Sequence, residues 1–311
     1  MARDVQNMES EAKFRLSRVG ITGVKKPVLV RRSGKAVSLN VLLDLFVDLP
    51  AHQRGSHLSR NAEAINALVE EAVHNPAGSL EGLCGRLARD LLERHPYAKV
   101  AEVHASADYF LERKNASGRR SLEPFKLLAR AEAQRNGRRP KVRKMVGVQV
   151  VGMSACPCAM ETARELMAKE SNDRALARAL SKVPTITHNQ RNTATLLVEV
   201  PEGHPIEADD LIGIVEGSLS APTFGVLKRG DEGALVLAAH KNPKFVEDVV
   251  RAILTTLIER YHDMPDDAHL TVRSESEESI HRHNAVAERT TTMGELRIPY
   301  PKGRQARGRN G

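Results

Sequence analysis

The sequence predicts an α+β protein with an internal structural duplication. Two observations carry this: β-branched, alternating stretches read as strands in both halves, and each half also holds helix-spaced apolar stripes among those strands. No repeat is visible residue by residue, so the duplication is one of pattern.

In order along the chain, roughly Gly20 to Arg32 and Ala36 to Leu49 read as strands, the second through VSLNVLLDLFVDL. After Pro50, Ser59 or Asn61 is a candidate cap for a helix bearing Ala64, Ile65, Leu68, Val69 and Val73 at helical spacing. Asn75-Pro76-Ala77-Gly78 breaks the chain. Leu80, Leu83, Leu87, Leu91 and Leu92 then share one face of a second helix, although Ser79 followed by Gly82 is not a capping box. Strands resume at Val100 to Glu112 and Val142 to Val151. Between them lie the polar stretch Lys114 to Arg120 and a predicted short helix over Pro124 to Asn136.

The second half begins with a helical insertion, METARELMAKESNDRALARALSKV, punctuated at Ser171-Asn172-Asp173 and ended by Pro184; it reads as a lid or packing wedge. A strand over Ala194 to Val200, a helix from Glu207 to about Ser218 and the apolar run Ala234 to Ala239 follow. The clearest element is a helix whose N-cap and first residue are read as Asn242 and Pro243. Phe245, Val246, Val249, Val250, Ile253, Leu254, Leu257 and Ile258 form its stripe. Strands near His269 to Ser274 and Gly294 to Pro299 complete the half. The domain reading is residues 1–140, residues 141–300 with most of the chemistry, and a disordered basic tail over 301–311.

With 311 residues the chain can bury a core without staples. Its three cysteines, two in Cys156-Pro157-Cys158, are no secreted disulfide framework and fit a reducing cytoplasm. The amino terminus lacks a signal-peptide core, and no run is long enough to span a bilayer. Lys302, Arg304, Arg307 and Arg309 supply half of the net charge of +8. A second basic stretch, Arg119, Arg120, Arg135, Arg138, Arg139, Lys141, Arg143 and Lys144, reads as a solvated face or linker, with a phosphate-contacting surface as the alternative. Aromatics make up 3% and Trp is absent, which argues against stacking platforms for single-stranded nucleic acid.

Five segments carry chemistry. Cys156-Pro157-Cys158 follows a predicted strand, and its thiolates suit a soft or borderline metal; two buried cysteines in a turn are the alternative. Thr187-His188-Asn189-Gln190-Arg191 concentrates polar function before a strand and makes His188 a candidate ligand, against an ordinary surface or core histidine. In Ser276 to Asn284, His281 and His283 share a face if extended, whereas Glu278 and His281 do if helical. Either pairing suits proton transfer; a charged, solvated loop is the alternative. Glu232, within Leu227-Lys228-Arg229-Gly230-Asp231-Glu232, reads as a surface charge; Glu247 is the more telling, in the first turn of the amphipathic helix where the dipole stabilises a carboxylate, a purpose it can equally serve on its own.

Taken in order, DLPAHQRGSHLSRN, GMSACPCAM, THNQR, LKRGDE, NPKFVEDVVR and ESIHRHNAVAER resemble the GTP cyclohydrolase family that includes the archaeal MptA type and the bacterial type-IB enzymes. The resemblance runs from about residue 2 to about residue 298, and the long insertion before His188 is similar to the archaeal branch. It implies tandem tunnelling-fold units, antiparallel sheets with paired helices, a barrel assembled across subunits, and a homotetramer with interface active sites. It implies Cys156, His188 and Glu232 as metal ligands, with Cys158 near the metal or in the chemistry. Glu278, His281 and His283 are implied as the acid/base cluster, one histidine being an alternative metal ligand, and Glu247 as the purine anchor. Lys228, Arg229 or Arg191 would meet the triphosphate. The expected metal is Fe2+, with Zn2+ or Mn2+ as alternatives. The expected product is 7,8-dihydroneopterin 2′,3′-cyclic phosphate for tetrahydromethanopterin synthesis, against dihydroneopterin triphosphate for folate in the bacterial type. The non-enzyme alternative is a metal- or nucleic-acid-binding module.

Overall fold

Strict alternation builds the longest strands. In β2 (Lys35–Leu49), Leu39, Val41, Leu43, Leu45, Val47 and Leu49 are all buried at every second position, which puts one face on the core. β1 (Leu16–Arg32) pairs antiparallel with it from Leu16↔Leu49 to Arg32↔Lys35, and register shifts flank Ile21. Gly20 lies so close to its neighbour that a Cβ there would sit 1.8 Å from the Leu45 carbonyl oxygen, and only glycine permits this approach. The computed structural model describes residues 4–32, 35–137, 139–171, 175, 178, 179 and 182–299. Arg138, Asn172, Asp173 and the basic tail with Lys302, Arg304, Arg307 and Arg309 lie outside the described residues.

The chain divides into two compact units: Met1–Tyr109 with Lys126–Gly147 and Glu199–Pro205, and Phe110–Phe125 with Val148–Val198 and Ile206–Gly311. In the first, α1 (Ser59–His74) packs against β1 and against α2 (Leu80–Arg94). Leu83, Leu87, Leu91 and Leu92 of α2 are fully buried, each contributing about 2 kcal/mol relative to exposure. Ser79 caps α2 by accepting from the Gly82 N–H at 3.1 Å. The cap expected for α1 is absent. Leu58 occupies that position without a side-chain bond, because Asn61 is drawn inward to the buried His95 ring at 2.8 Å.

Strands follow the hydrogen-bonded order β1-β2-β3-β4-β5-β6-β8-β9, where β3 is Val100–Lys114, β4 Arg120–Gln134, β5 Lys141–Ala155, β6 Asn189–Glu199, β8 His269–Ser276 and β9 Ala285–Thr292; β7 (Ala221–Pro222) pairs with β5. The helix expected over Pro124 to Asn136 is instead strand β4. Glu123, Phe125, Leu127, Ala129, Ala131 and Ala133 are buried in alternation, so the period of two overrides the helical propensity of its alanines.

In the second unit, β6 pairs antiparallel with β8 from Asn192↔Ser276 to Val198↔Leu270, and β8 pairs with β9. The helices are α3 (Pro157–Ser171), α4 (Ala208–Ser218), α5 (Arg229–Lys241), α6 (Val246–Arg260) and the short α7 (Met293–Arg297). α6 buries Val246, Val249, Val250, Ile253 and Leu257 and packs against α4, β8 and β9. It starts later than expected. Asn242 serves as the C-cap of α5, and its Nδ2 donates to the Leu219 and Ser220 carbonyls at 3.1 and 3.3 Å. The capping of α6 comes from Asp248, which accepts from the Phe245 N–H at 3.1 Å. The strand expected over Gly294 to Pro299 is also corrected. β9 precedes it and ends at Thr292, whose hydroxyl accepts from the Glu295 N–H and turns the chain into α7.

Candidate active site

All the site residues expected from the sequence lie in the second unit. β5 ends at Ala155, and Cys156 starts α3 with Pro157 in the first helical position, where a missing N–H costs nothing. The Cys156 sulfur accepts from the Ala159 N–H at 3.4 Å, which places it at the helix N-terminus, where negative charge is favoured. Its own N–H donates to the His188 carbonyl at 3.3 Å, so the cysteine and histidine segments are bound side by side through their backbones. Cys158, two residues on, is exposed.

A side-chain relay runs from His188. Its Nδ1 lies 3.0 Å from Gln190 Oε1, and Gln190 Nε2 donates to Glu278 Oε1 at 3.0 Å and to Ser276 Oγ at 3.2 Å. The amide has one sensible orientation, because its oxygen turned towards the Glu278 carboxylate would set two acceptors against each other. With Oε1 facing the ring, Nδ1 carries the proton and Nε2 keeps its lone pair, the form that binds a metal. Glu278 Oε2 is 3.9 Å from the same Nδ1, and Ser279 Oγ is 3.5 Å away. Ser276 is buried and shares a 2.8 Å hydroxyl contact with Ser154 of β5. Beyond Glu278 the chain bends, neither strand nor helix, and the exposed His281 and His283 rings stack at 5.1 Å.

α5 presents the third group. Arg229 and Glu232 lie in its first turn with Lys228 just before them, all exposed. The turn is held by Asp231, which accepts from the Lys228 N–H at 3.0 Å and pairs with Arg119 at 3.4 Å. That backbone bond, with help from Ser117 and Arg119, holds the Asp231 carboxyl below the usual carboxylate range. Asn115 donates to the Val226 carbonyl, and the buried Glu123 accepts from the Gly225 N–H at 2.8 Å, so the tip between β3 and β4 clamps the loop leading into α5. Glu247 is exposed in the first turn of α6, and Arg191 is exposed at the start of β6.

The structure therefore brings Cys156, His188 and Glu278 into one bonded neighbourhood and sets His281 beside His283. Among the described residues, no three His, Cys, Asp or Glu side chains converge at metal-binding distance, so Glu232 is not drawn onto Cys156 and His188 within this chain. The donor types nevertheless fit a divalent transition metal: a sulfur at a helix N-terminus, an imidazole with a set tautomer and an exposed carboxylate. Sequence reasoning did not single out Gln190, Ser276, Asp231 or Glu123. The amide-rich THNQR segment was the available sign of Gln190.

No helix among the described residues is long and apolar enough to cross a membrane. Residues 2–287 match the family described as type I GTP cyclohydrolase folE2. The chain is 44% identical over 300 residues to GTP cyclohydrolase MptA of Methanothermobacter thermautotrophicus, covering 94% of each protein. It is 39% identical over 301 residues to GTP cyclohydrolase MptA of Methanocaldococcus jannaschii, covering 94% of this chain and 96% of that one. Among solved structures it resembles a uricase from Bacillus fastidious, with a TM-score of 0.50 and 10% identity over 96% of this chain and 100% of that one. That likeness is one of fold.

Proposed function

The chain belongs to the type I GTP cyclohydrolase family, and on that premise we propose that it opens the guanine imidazole ring of GTP at C8, releases formate and, as the cyclic phosphate closes, diphosphate, and yields 7,8-dihydroneopterin 2′,3′-cyclic phosphate for tetrahydromethanopterin synthesis. The observation that carries the site assignment is the His188–Gln190–Glu278 relay beside Cys156, which leaves His188 Nε2 directed to no protein partner among the described residues.

Cys156 and His188 would hold the metal, with Glu232 brought in from the first turn of α5. Fe2+ is the proposed ion and Zn2+ or Mn2+ the alternatives. Such an ion supplies Lewis-acid polarisation and an acidified water when bound. The remaining work falls to the chain. Glu278, held by Gln190, receives and returns protons as water adds at C8 and the ring C–N bond breaks. His281 and His283, on an exposed bend, deliver protons to the nitrogens released as formate departs, and Cys158 adds a second sulfur near the reacting centre. Glu247 would accept from the guanine N–H groups and so fix the base. Lys228, Arg229 and Arg191 would pair with the triphosphate, whose binding orients C8.

The proposed assembly is a homotetramer of tandem tunnelling-fold chains in the cytoplasm, with barrels closed across subunits and active sites at their interfaces. Its archaeal-type relatives and the insertion before His188 favour the cyclic phosphate. Mass spectrometry of the product formed from GTP under anaerobic Fe2+, with formate measured in parallel, tests the reading. The expected result is formate with the cyclic phosphate. A triphosphate product would assign the chain to the bacterial outcome, and absence of formate would overturn the reading.

A further inference from the structure

His240 lies in the last turn of α5 and is 1% exposed. Its Nδ1 faces the Val236 carbonyl at 2.8 Å, within its own helix, and its Nε2 faces the Thr187 carbonyl at 3.1 Å, outside it. Carbonyl oxygens only accept, so the ring donates one of these bonds when neutral and both when doubly protonated. A buried imidazole at a helix surface is costly unless such bonds compensate it. The residue it reaches immediately precedes His188, whose own carbonyl accepts from the Cys156 N–H.

The packing around His240 points to the same place. Its neighbour Ala239 is fully buried against Ala155 and Ala221, with Met153 and Leu235 beside them, and Ala155 is the residue before Cys156. The far end of α5 is fastened by Asp231 through Lys228 and Arg119. A helix held at both ends behaves as a rod of about 1.5 Å per residue, so His240 fixes the position of Glu232 about 12 Å along it.

We propose that His240 is a positioning residue: it locks α5 to the 187–188 segment, so that the helix carrying Glu232 and the segment carrying His188 keep a fixed relation. The proposal rests on the reading of His188 and Glu232 as metal ligands. Partners that orient ligands without touching the ion are worth about 10- to 100-fold in affinity or activity.

The test uses full-length apo protein titrated with Co2+, followed by thiolate-to-metal absorption, with kcat, KM for GTP and thermal unfolding measured alongside. His240→Phe keeps the ring volume but removes both ring nitrogens, and with them any bond to the Thr187 carbonyl. Its Co2+ affinity should fall about 10- to 100-fold, with kcat reduced more than KM is raised. His240→Gln should recover part of the loss, because its amide N–H can reach the Thr187 carbonyl. A folded His240→Phe with wild-type Co2+ affinity and kcat, changed only in melting temperature, would overturn the proposal. If His240→Phe does not fold, His240→Asn decides, since its shorter amide falls short of Thr187: weakened Co2+ binding supports the role and wild-type binding removes it. His188→Ala and Glu232→Gln, run in parallel, separate the two levels. If both retain Co2+, the ligand reading has failed and the His240 role with it; if both lose Co2+ while the His240 variants do not, only the positioning role has failed.

Discussion

Two histidines, one in each unit, show how the same side chain is closed off in one place and left open in another. His95 is fully buried, and both its ring nitrogens are occupied, Nδ1 by the Tyr97 hydroxyl at 2.9 Å and Nε2 by Asn61 at 2.8 Å, with Tyr97 passing the chain on to Ser56 at 2.7 Å. His188 has its Nδ1 side engaged by Gln190 and Ser279, and among the described residues its Nε2 has no protein partner. A histidine engaged on both ring nitrogens is fixed within its core, whereas one that keeps a free lone pair in a polar neighbourhood can bind and react.

Breaking the open network should cost function more than stability. Gln190→Ala removes the group that sets the His188 tautomer and orients Glu278. Activity and metal affinity should each fall about 10- to 100-fold while the melting temperature barely moves. Steady-state kinetics and metal titration on that one variant check this. Equal losses in stability and activity would mean that the relay is structural.

Breaking the closed network should do the reverse. His95→Ala leaves the buried Asn61 and Tyr97 groups short of partners and should cost about 2 kcal/mol, with the turnover of folded molecules unchanged. The same site gives a pH signature. Burial, then the neighbouring Arg60, His57 and Arg94 charges, push the His95 pKa down to about 4. Between that value and the ordinary histidine range the unfolded chain binds the extra proton and the native one does not. Stability is therefore fully present above about pH 6.5 and is lost as the pH falls towards about 4. Urea unfolding across that window should show the slope, and His95→Gln should flatten it.

The two regions also differ in how far they could be read beforehand. The alternation in β2 and the leucine face of α2 are local and were plain from spacing. β4 was not, because half of its buried positions are alanines, and Lys126, Arg130 and Glu132 stand between the buried residues, a composition that favours helix until a sheet supplies neighbours. α5 was equally obscure: its apolar run buries Ala239 but leaves Leu237 exposed, so no clean stripe marks it. In the site, Cys156, His188 and Glu278 stood out as chemically loaded residues. The joining of His188 to Glu278 through Gln190 depends on the Asn192↔Ser276 register between β6 and β8, a pairing across more than eighty positions that no local pattern encodes. Glu232 and Glu247 stood out only through the family resemblance, and as exposed first-turn carboxylates they keep the bland appearance their spacing gave them.

The most direct measurement is the metal stoichiometry of anaerobically Fe2+-reconstituted wild-type, His188→Ala and His95→Gln protein, taken on folded material after desalting. The expected result is about one ion per chain in the wild type and in His95→Gln, and loss of the ion in His188→Ala. Retention of a full complement of iron by His188→Ala would contradict the assignment of the open imidazole as a ligand.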